Sequence, residues 1–252
     1  MKIKKHIPNL LTLGNLFCGT LATIFAVQGE FVSVAFFVVF GILFDFLDGF
    51  VARLLNVSGE LGKQLDSLAD MVTSGVVPGI VMFQLIGQRG IKNSGNHHPF
   101  SGALNIDGFY QDIKLFGLLL TLTACYRLAK FNLDTRQTNS FIGLPTPAMS
   151  LFVISLPLIV EFSDYSFATD LVQNNYFLIG VTFVLSFLMN AELPLFSLKF
   201  KEYSFKKNLI KYLFLLVAII LIFTLQYLSI PLIIFVYVLL SIISNYRKKL
   251  GF

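Results

Sequence analysis

Four aspartates, Asp45, Asp48, Asp66 and Asp70, fall in the single stretch DFLDGFVARLLNVSGELGKQLDSLAD of an otherwise largely apolar chain. On helices, Asp45 and Asp48 would share one face, and so would Asp66 and Asp70, because residues three or four apart are neighbours. A turn near LNVSGE would make the two helices antiparallel, and the two acidic faces could then meet in one cup. Four carboxylates so close repel strongly in a low dielectric. Arg53 and Lys63 are the only basic residues within the stretch, so hard divalent cations are the natural counter-charge. All-oxygen ligation suits Mg²⁺ or Mn²⁺, and four carboxylates suit a pair of such ions. The plainer alternative is solvated acids at a helix–loop–helix boundary. It suits Asp48 or Asp66 alone but not two facing pairs amid Phe, Leu and Val. Intramembrane acids are functional candidates by default. Gly49, Ala52 and Gly62 would let a flat or bulky ligand approach the backbone beside the cup. Ordinary small-residue helix packing is the alternative for these three.

The elements that must hold this cup are hydrophobic helices. Of 252 residues, 56% are hydrophobic and 13% charged, with mean hydropathy +0.77. Soluble domains carry about 25% charged residues. The excess comes in runs such as LFLLVAIILIFTLQYLSIPLIIFVYVLL, and a bilayer crossing needs ~20 apolar residues. The chain therefore reads as an all-α, polytopic membrane bundle forming one integral domain over 1–252. Eight hydrophobic segments can be drawn, near 9–27, 32–55, 62–86, 113–133, 145–162, 176–193, 209–227 and 230–246. Polar stretches separate them: QGEF at 28–31, a Gly-, Asn- and His-rich loop at 87–112, and DYSFATDLVQNN at 164–175. Ser229, Ile230 and Pro231 break what would otherwise be one overlong helix.

Lys and Arg mark the cytoplasmic side. With the N-terminus inside, only Arg89, Lys92 and Lys114 of the 19 basic residues fall outside. This skew predicts an N-in, C-in topology with the aspartate cup at the cytoplasmic end. It also places the net charge of +5 beside anionic headgroups. No soluble domain is left to bind nucleic acid. Cys18 and Cys125 lie in apolar runs without metal-binding spacing and read as small buried hydrophobes. MKIKKHIPNLLTLGNLFCGT starts like a signal peptide, but Pro8, Asn9, Gly14 and Asn15 interrupt its apolar core, so an uncleaved first span is expected. His97 and His98 fall in the predicted outer loop, away from the cup.

The stretch also reads as D-x2-D-G-x2-A-R-x8-G-x3-D-x3-D, filled by Asp45, Asp48, Gly49, Ala52, Arg53, Gly62, Asp66 and Asp70. This resembles the signature of the CDP-alcohol phosphatidyltransferase family at every fixed position. The resemblance implies a metal-dependent membrane enzyme that displaces CMP from a CDP-linked lipid with an alcohol. It also implies Asp45, Asp48 and Asp66 as metal ligands, and Asp70 as general base and possible ligand. Gly49, Ala52 and Arg53 would border the nucleotide, and a homodimer is the family arrangement. IPNLLTLGNLFCG at 7–19, YRLAKFN at 126–132 and FIGLPTPA at 141–148 are similar to the bacterial and archaeal phosphatidylserine synthase branch. Tyr126 before Arg127, and Lys130 in place of Arg, depart from the branch pattern. These segments put the catalytic part at about 7–150. The spans at 151–246 carry no recognisable motif.

The resemblance implies CDP-diacylglycerol and L-serine as substrates, phosphatidylserine and CMP as products, and an enzyme of phospholipid biosynthesis in the cell inner membrane. Thr12 and Asn15, one turn apart, could hydrogen-bond a ribose or phosphate oxygen, or simply another helix. Arg127 and Lys130 could hold a phosphate or a serine carboxylate, Arg in bidentate fashion, or could anchor the span at the headgroups. GLPTP could form a rigid re-entry beside the site or merely begin a span. Other acceptors, glycerol 3-phosphate or inositol phosphate, are the nearest rival. Being dianionic, they would favour more basic residues around the site. An intramembrane prenyltransferase would carry its acidic pairs on well-separated helices. A cation transporter would place acids near mid-membrane within an internal repeat, and neither feature is found.

Overall fold

The computed structural model describes residues 6–57, 59–86, 113–134, 141–196 and 208–249. The predicted outer loop at 87–112, with His97 and His98, lies outside the described residues, as do the terminal and loop lysines numbered 2–5 and 199–207.

Two helices open the chain, α1 (His6–Gln28) and α2 (Phe31–Leu55), as an antiparallel hairpin. The turn between them is built from the backbone. Gly29 adopts a left-handed conformation (φ 79°), its N–H reaches the Ala26 carbonyl, and the Glu30 N–H reaches the Phe25 carbonyl. Such paired bonds satisfy the carbonyls a helix end leaves open. Small residues let the two helices approach: Ala22 and Ala26 lie buried with Val34 and Val38, and Gly14 faces the Phe44 ring.

The end of α2 repeats the device. Asn56 is left-handed (φ 51°), its N–H bonds the Arg53 carbonyl, and the Val57 N–H bonds the Ala52 carbonyl. Asn tolerates this conformation better than most residues. The chain thus reverses about two turns after the second aspartate of α2 and enters α3 (Glu60–Asp70).

After Asp70 the helix widens into a π turn at Met71–Val76 and then continues as α4 (Val77–Leu85). Pro78 explains the widening. It has no N–H for the Ser74 carbonyl four residues back, and its ring would press on that carbonyl. The wider turn relieves the clash, and the Thr121 hydroxyl from a neighbouring helix donates to the Gly75 carbonyl within the turn at 3.1 Å.

A 3₁₀ turn (Leu115–Leu118) leads into α5 (Leu119–Leu133). The next helix is α6 (Thr146–Phe162). The segment DYSFATDLVQNN, expected as a turn, instead forms the short helix α7 (Ser166–Val172), because Ala168 and Val172 recur at helical spacing and are buried. It meets α8 (Asn175–Asn190) at 73°. A two-residue antiparallel ladder, β1 (Phe141–Ile142) with β2 (Pro194–Leu195), interrupts the otherwise helical architecture.

The last apolar run is α9 (Leu209–Leu225) and α10 (Ser229–Lys249), joined by a 3₁₀ turn at Gln226–Leu228. Gln226 has φ 46°. The Phe214 and Tyr237 rings lie 5.6 Å apart, which a straight helix would separate by about 34 Å at 1.5 Å per residue. The run is therefore a hairpin, broken near the position predicted from Ser229–Pro231.

Among the described residues, four stretches are long and apolar enough to cross a bilayer: 6–28, 31–55, 60–85 and the folded-back 209–246, with α7–α8 as a bent fifth. The helix α6 is apolar but shorter. The protein is an integral membrane protein. Its core lies where α1, α2, α4, α5, α6 and α8 meet, around Val38, Val81, Met82, Leu120, Met149 and Leu178.

Candidate active site

The reversal at Asn56 brings the acidic faces of α2 and α3 together. Carboxylate oxygens of Asp45, Asp48 and Asp66 all lie within 4.8 Å of one another. Asp48 is buried, and Asp45 and Asp66 are half-buried. At an effective dielectric of about 20, each pair of carboxylates at such a distance repels by about 3 kcal/mol. A divalent ion would remove that cost. Its octahedral shell at ~2.1 Å puts neighbouring oxygens about 3 Å apart, within reach of small side-chain movements here. The donor set is all carboxylate, which fits Mg²⁺ or Mn²⁺ rather than a thiophilic metal.

Asp70 lies outside this trio and is held from α1. The Asn15 side-chain amide donates to an Asp70 oxygen at 3.1 Å. The Asn15 carbonyl oxygen in turn accepts from the Thr73 hydroxyl at 2.7 Å. Asn15 and Thr73 are fully buried. The Thr12 hydroxyl, one turn before Asn15, donates to Asp48, with the Pro8 carbonyl as its local alternative at 3.1 Å. The Thr12 hydroxyl and the Asn15 side-chain N–H therefore go to the aspartates themselves.

Close packing supports this network. A Cβ added at Gly19 would sit 2.3 Å from the Thr73 hydroxyl. One added at Gly41 would sit 2.7 Å from Thr73 Cγ2 and 2.9 Å from Asn15 Oδ1. Gly49 is different: the nearest atom to its imaginary Cβ is Arg53 Nη2 at 3.9 Å. The space over Gly49 is open. Arg53 arches back along α2, its Nε donating to the Gly49 carbonyl at 2.9 Å. Gly62 faces Asn9 Oδ1, 3.3 Å from an added Cβ.

Helix α5 closes the other side. Lys63 Nζ donates to the Asn132 carbonyl at 2.9 Å, and Asn132 Nδ2 donates to Ser67 Oγ at 2.8 Å. Arg127 is 7% exposed, lies over the Phe131 ring at 5.8 Å, and is close enough to Asp70 to interact electrostatically. Its Nε has no hydrogen-bond partner among the described residues. A buried guanidinium with an open donor is ready for an anion. Lys130 pairs with Glu192 at 3.7 Å. Thr73, Ser67, Asn132 and Glu192 escaped the sequence reading. Thr73 had a local signal, a polar residue three positions after Asp70, and Asn132 closes the YRLAKFN segment.

The sequence matches the CDP-alcohol phosphatidyltransferase family over residues 5–188. The chain belongs to this family. Its aspartate signature is thus assembled at the hairpin of α2 and α3, as in a metal-dependent family. Among relatives, the CDP-diacylglycerol–serine O-phosphatidyltransferase of Bacillus subtilis (strain 168) is 31% identical over 151 residues, covering 60% of this chain and 75% of the relative. The protein of the same name from Helicobacter pylori (strain J99) is 34% identical over 149 residues, covering 58% of this chain and 55% of the relative. The CDP-diacylglycerol–glycerol-3-phosphate 3-phosphatidyltransferase of Aquifex aeolicus (strain VF5) is 46% identical, but over 67 residues only, 27% of this chain and 38% of the relative. The chain thus spans just over half the length of some serine-named relatives and three quarters of another.

Proposed function

We propose that this protein transfers the phosphatidyl group of CDP-diacylglycerol to the hydroxyl of L-serine, forming phosphatidylserine and releasing CMP. The observation that carries the reading is the convergence of Asp45, Asp48 and Asp66 beside an Asp70 anchored from α1 by Asn15. Two divalent ions, Mg²⁺ or Mn²⁺, bound by the aspartates would bind the diphosphate and offset its charge. Asp45, Asp48 and Asp66 act as ligands. Asp70, anchored from α1, takes the proton of the serine hydroxyl as its oxygen bonds to the β-phosphorus and the bond to CMP breaks. The open surface over Gly49, with Ala52, Arg53 and Gly62 along the same hairpin, receives the nucleotide. Thr12 and Asn15 serve that pocket by fixing Asp48 and Asp70. Arg127, with its open Nε, takes the serine carboxylate, and Lys130 adds positive potential.

The site end faces the cytoplasm of the cell inner membrane, with both termini on that side. Supporting this, the start of α1 meets Asp48 through Thr12, and the end of α10 bonds the Pro194 carbonyl through Asn245, so both lie at the site end. The catalytic part spans about 7–150, with the eight-segment bundle as one domain. A homodimer is carried over with the family resemblance.

A second acceptor, glycerol 3-phosphate, has the short Aquifex match in its favour. The test is purified protein with CDP-diacylglycerol and Mn²⁺ or Mg²⁺, offered serine, glycerol 3-phosphate and inositol phosphate in turn. CMP release with serine is expected. Release with glycerol 3-phosphate alone would move the protein to the rival reaction, and release with none would refute both.

A further inference from the structure

The hairpin of α9 and α10 has no place in the chemistry above, yet α10 carries a polar face. Tyr237, Ser241 and Asn245 stand four residues apart and so line one side of the helix. All three engage one short segment. The Tyr237 hydroxyl donates to the Phe196 carbonyl at 2.9 Å. The Phe196 N–H donates to Ser241 Oγ at 3.4 Å. Asn245 Nδ2 donates to the Pro194 carbonyl. The ring of Phe196 packs on Phe214 and Tyr237, with centroids 6.0 and 4.9 Å away. Hydrogen-bonding groups on a membrane helix are costly unless they find partners, and these find them in β2 and the residue after it.

The β2 segment is in turn the anchor of the chain that leads into α6. It pairs with β1 in the register Ile142 opposite Pro194. The Gly143 N–H reaches the Leu193 carbonyl and the Leu144 N–H the Leu188 carbonyl, each at 2.9 Å. This ladder gives Pro194 a position where no N–H is required. Gly143 is left-handed (φ 77°), and a Cβ there would lie 2.4 Å from the Met189 carbonyl oxygen. Two residues before Pro194, Glu192 holds Lys130 at 3.7 Å, one turn along α5 from Arg127.

We propose that the polar face of α10 is a clamp, with Tyr237, Ser241 and Asn245 as positioning residues that fix β2 and, through it, the Glu192–Lys130 pair and the Gly143–Thr146 turn at the acceptor side of the site. This rests on the reaction proposed above. An amino acid is a zwitterion, and the Lys130 ammonium, one turn along α5 from Arg127, with the Glu192 carboxylate 3.7 Å from it, presents charges of both signs. The clamp therefore governs the acceptor and not the CDP-lipid, which sits over the α2–α3 hairpin.

The test is the full chain carrying Tyr237→Phe, Ser241→Ala and Asn245→Ala together. The KM for serine is expected to rise about tenfold, roughly 1.4 kcal/mol of binding, with kcat and the KM for CDP-diacylglycerol within twofold of the parent. Hydrogen exchange at the Gly143 and Leu144 amides is expected to accelerate. A second variant adds Ile142→Cys and Pro194→Cys, whose oxidation would re-tie the ladder without α10. Its disulfide should restore the serine KM, and reduction should abolish the rescue. An unchanged serine KM, equal losses for both substrates, or no rescue by the disulfide each overturns the clamp. A parent protein that releases no CMP with serine would refute the reaction, while amide exchange at 143–144 would still decide the clamp.

Discussion

The Asn15 amide joins the residue just before the π turn to one inside it: it donates to Asp70 at 3.1 Å and accepts from the Thr73 hydroxyl at 2.7 Å. An ionised carboxylate can only accept, so the NH₂ must face Asp70, and Thr73 occupies the remaining carbonyl. The widening at Met71–Val76 puts Thr73 in reach of the same side chain that holds Asp70. A π turn inside an α-helix commonly marks a working site.

Asn15→Ala should therefore lower kcat by about 10–100-fold, or about 1.4–2.7 kcal/mol of transition-state stabilisation, by freeing Asp70. Thr73→Val should have a smaller effect in the same direction. The double variant should lose less than the sum of the two, because the residues act in one network. Initial rates of CMP release measure all three.

Thr12 acts on the metal trio rather than on Asp70. Partners that orient a ligand typically affect metal affinity by about 10–100-fold. Thr12→Val should raise the Mn²⁺ concentration for half-maximal activity by such a factor, whereas Thr12→Ser, which keeps the hydroxyl that donates to Asp48, should stay near the parent. A metal titration at saturating substrates separates the two.

The glycines divide by the space around them. At Gly19 and Gly41 an added Cβ would meet Thr73 at 2.3 and 2.7 Å, so Gly19→Ala and Gly41→Ala should each destabilise the fold. Overpacking of this kind costs about 1–3 kcal/mol. The nearest atom at Gly49 is 3.9 Å away, so Gly49→Ala should leave unfolding in detergent almost unchanged. It should instead raise the KM for CDP-diacylglycerol, because the methyl group fills space assigned to the nucleotide. Thermal unfolding and substrate titration together check the contrast.

Local signals made the acid hairpin legible. Helical spacing put Asp45 with Asp48 and Asp66 with Asp70 on common faces, and the left-handed Asn56 performs the reversal expected near LNVSGE. Of the residues that hold the cup, Thr12 and Asn15 stood out as polar positions in an apolar helix, whereas those that act across the fold from α5 and beyond were not legible. Asn132 reaches Ser67 from 65 positions away, and Lys130 meets Glu192 only after α8 has returned. The π turn had a cause in Pro78, but a proline inside an apolar run does not announce whether the helix will break, kink or widen. DYSFATDLVQNN misled through its polarity: the two small apolar residues that fix α7 are outnumbered by polar neighbours whose side chains need no burial.

The division of labour among the four aspartates has a direct test in the series Asp45→Asn, Asp48→Asn, Asp66→Asn and Asp70→Asn. Asn keeps the size and removes the charge, so the fold should survive and the repulsion within the trio should fall. The first three variants each remove a charged oxygen from the set gathered within 4.8 Å and should lose Mn²⁺ binding together with turnover. Asp70→Asn should behave differently. Its carboxylate is tied to Asn15 outside the trio, so Mn²⁺ binding should stay within a few-fold of the parent while kcat falls by about 10²–10⁴, the range for loss of a general base. Calorimetric Mn²⁺ binding and CMP release on the same preparations provide both readings. If Asp70→Asn abolished Mn²⁺ binding as completely as Asp48→Asn, Asp70 would be a ligand first, and the proton would have to leave serine by another group.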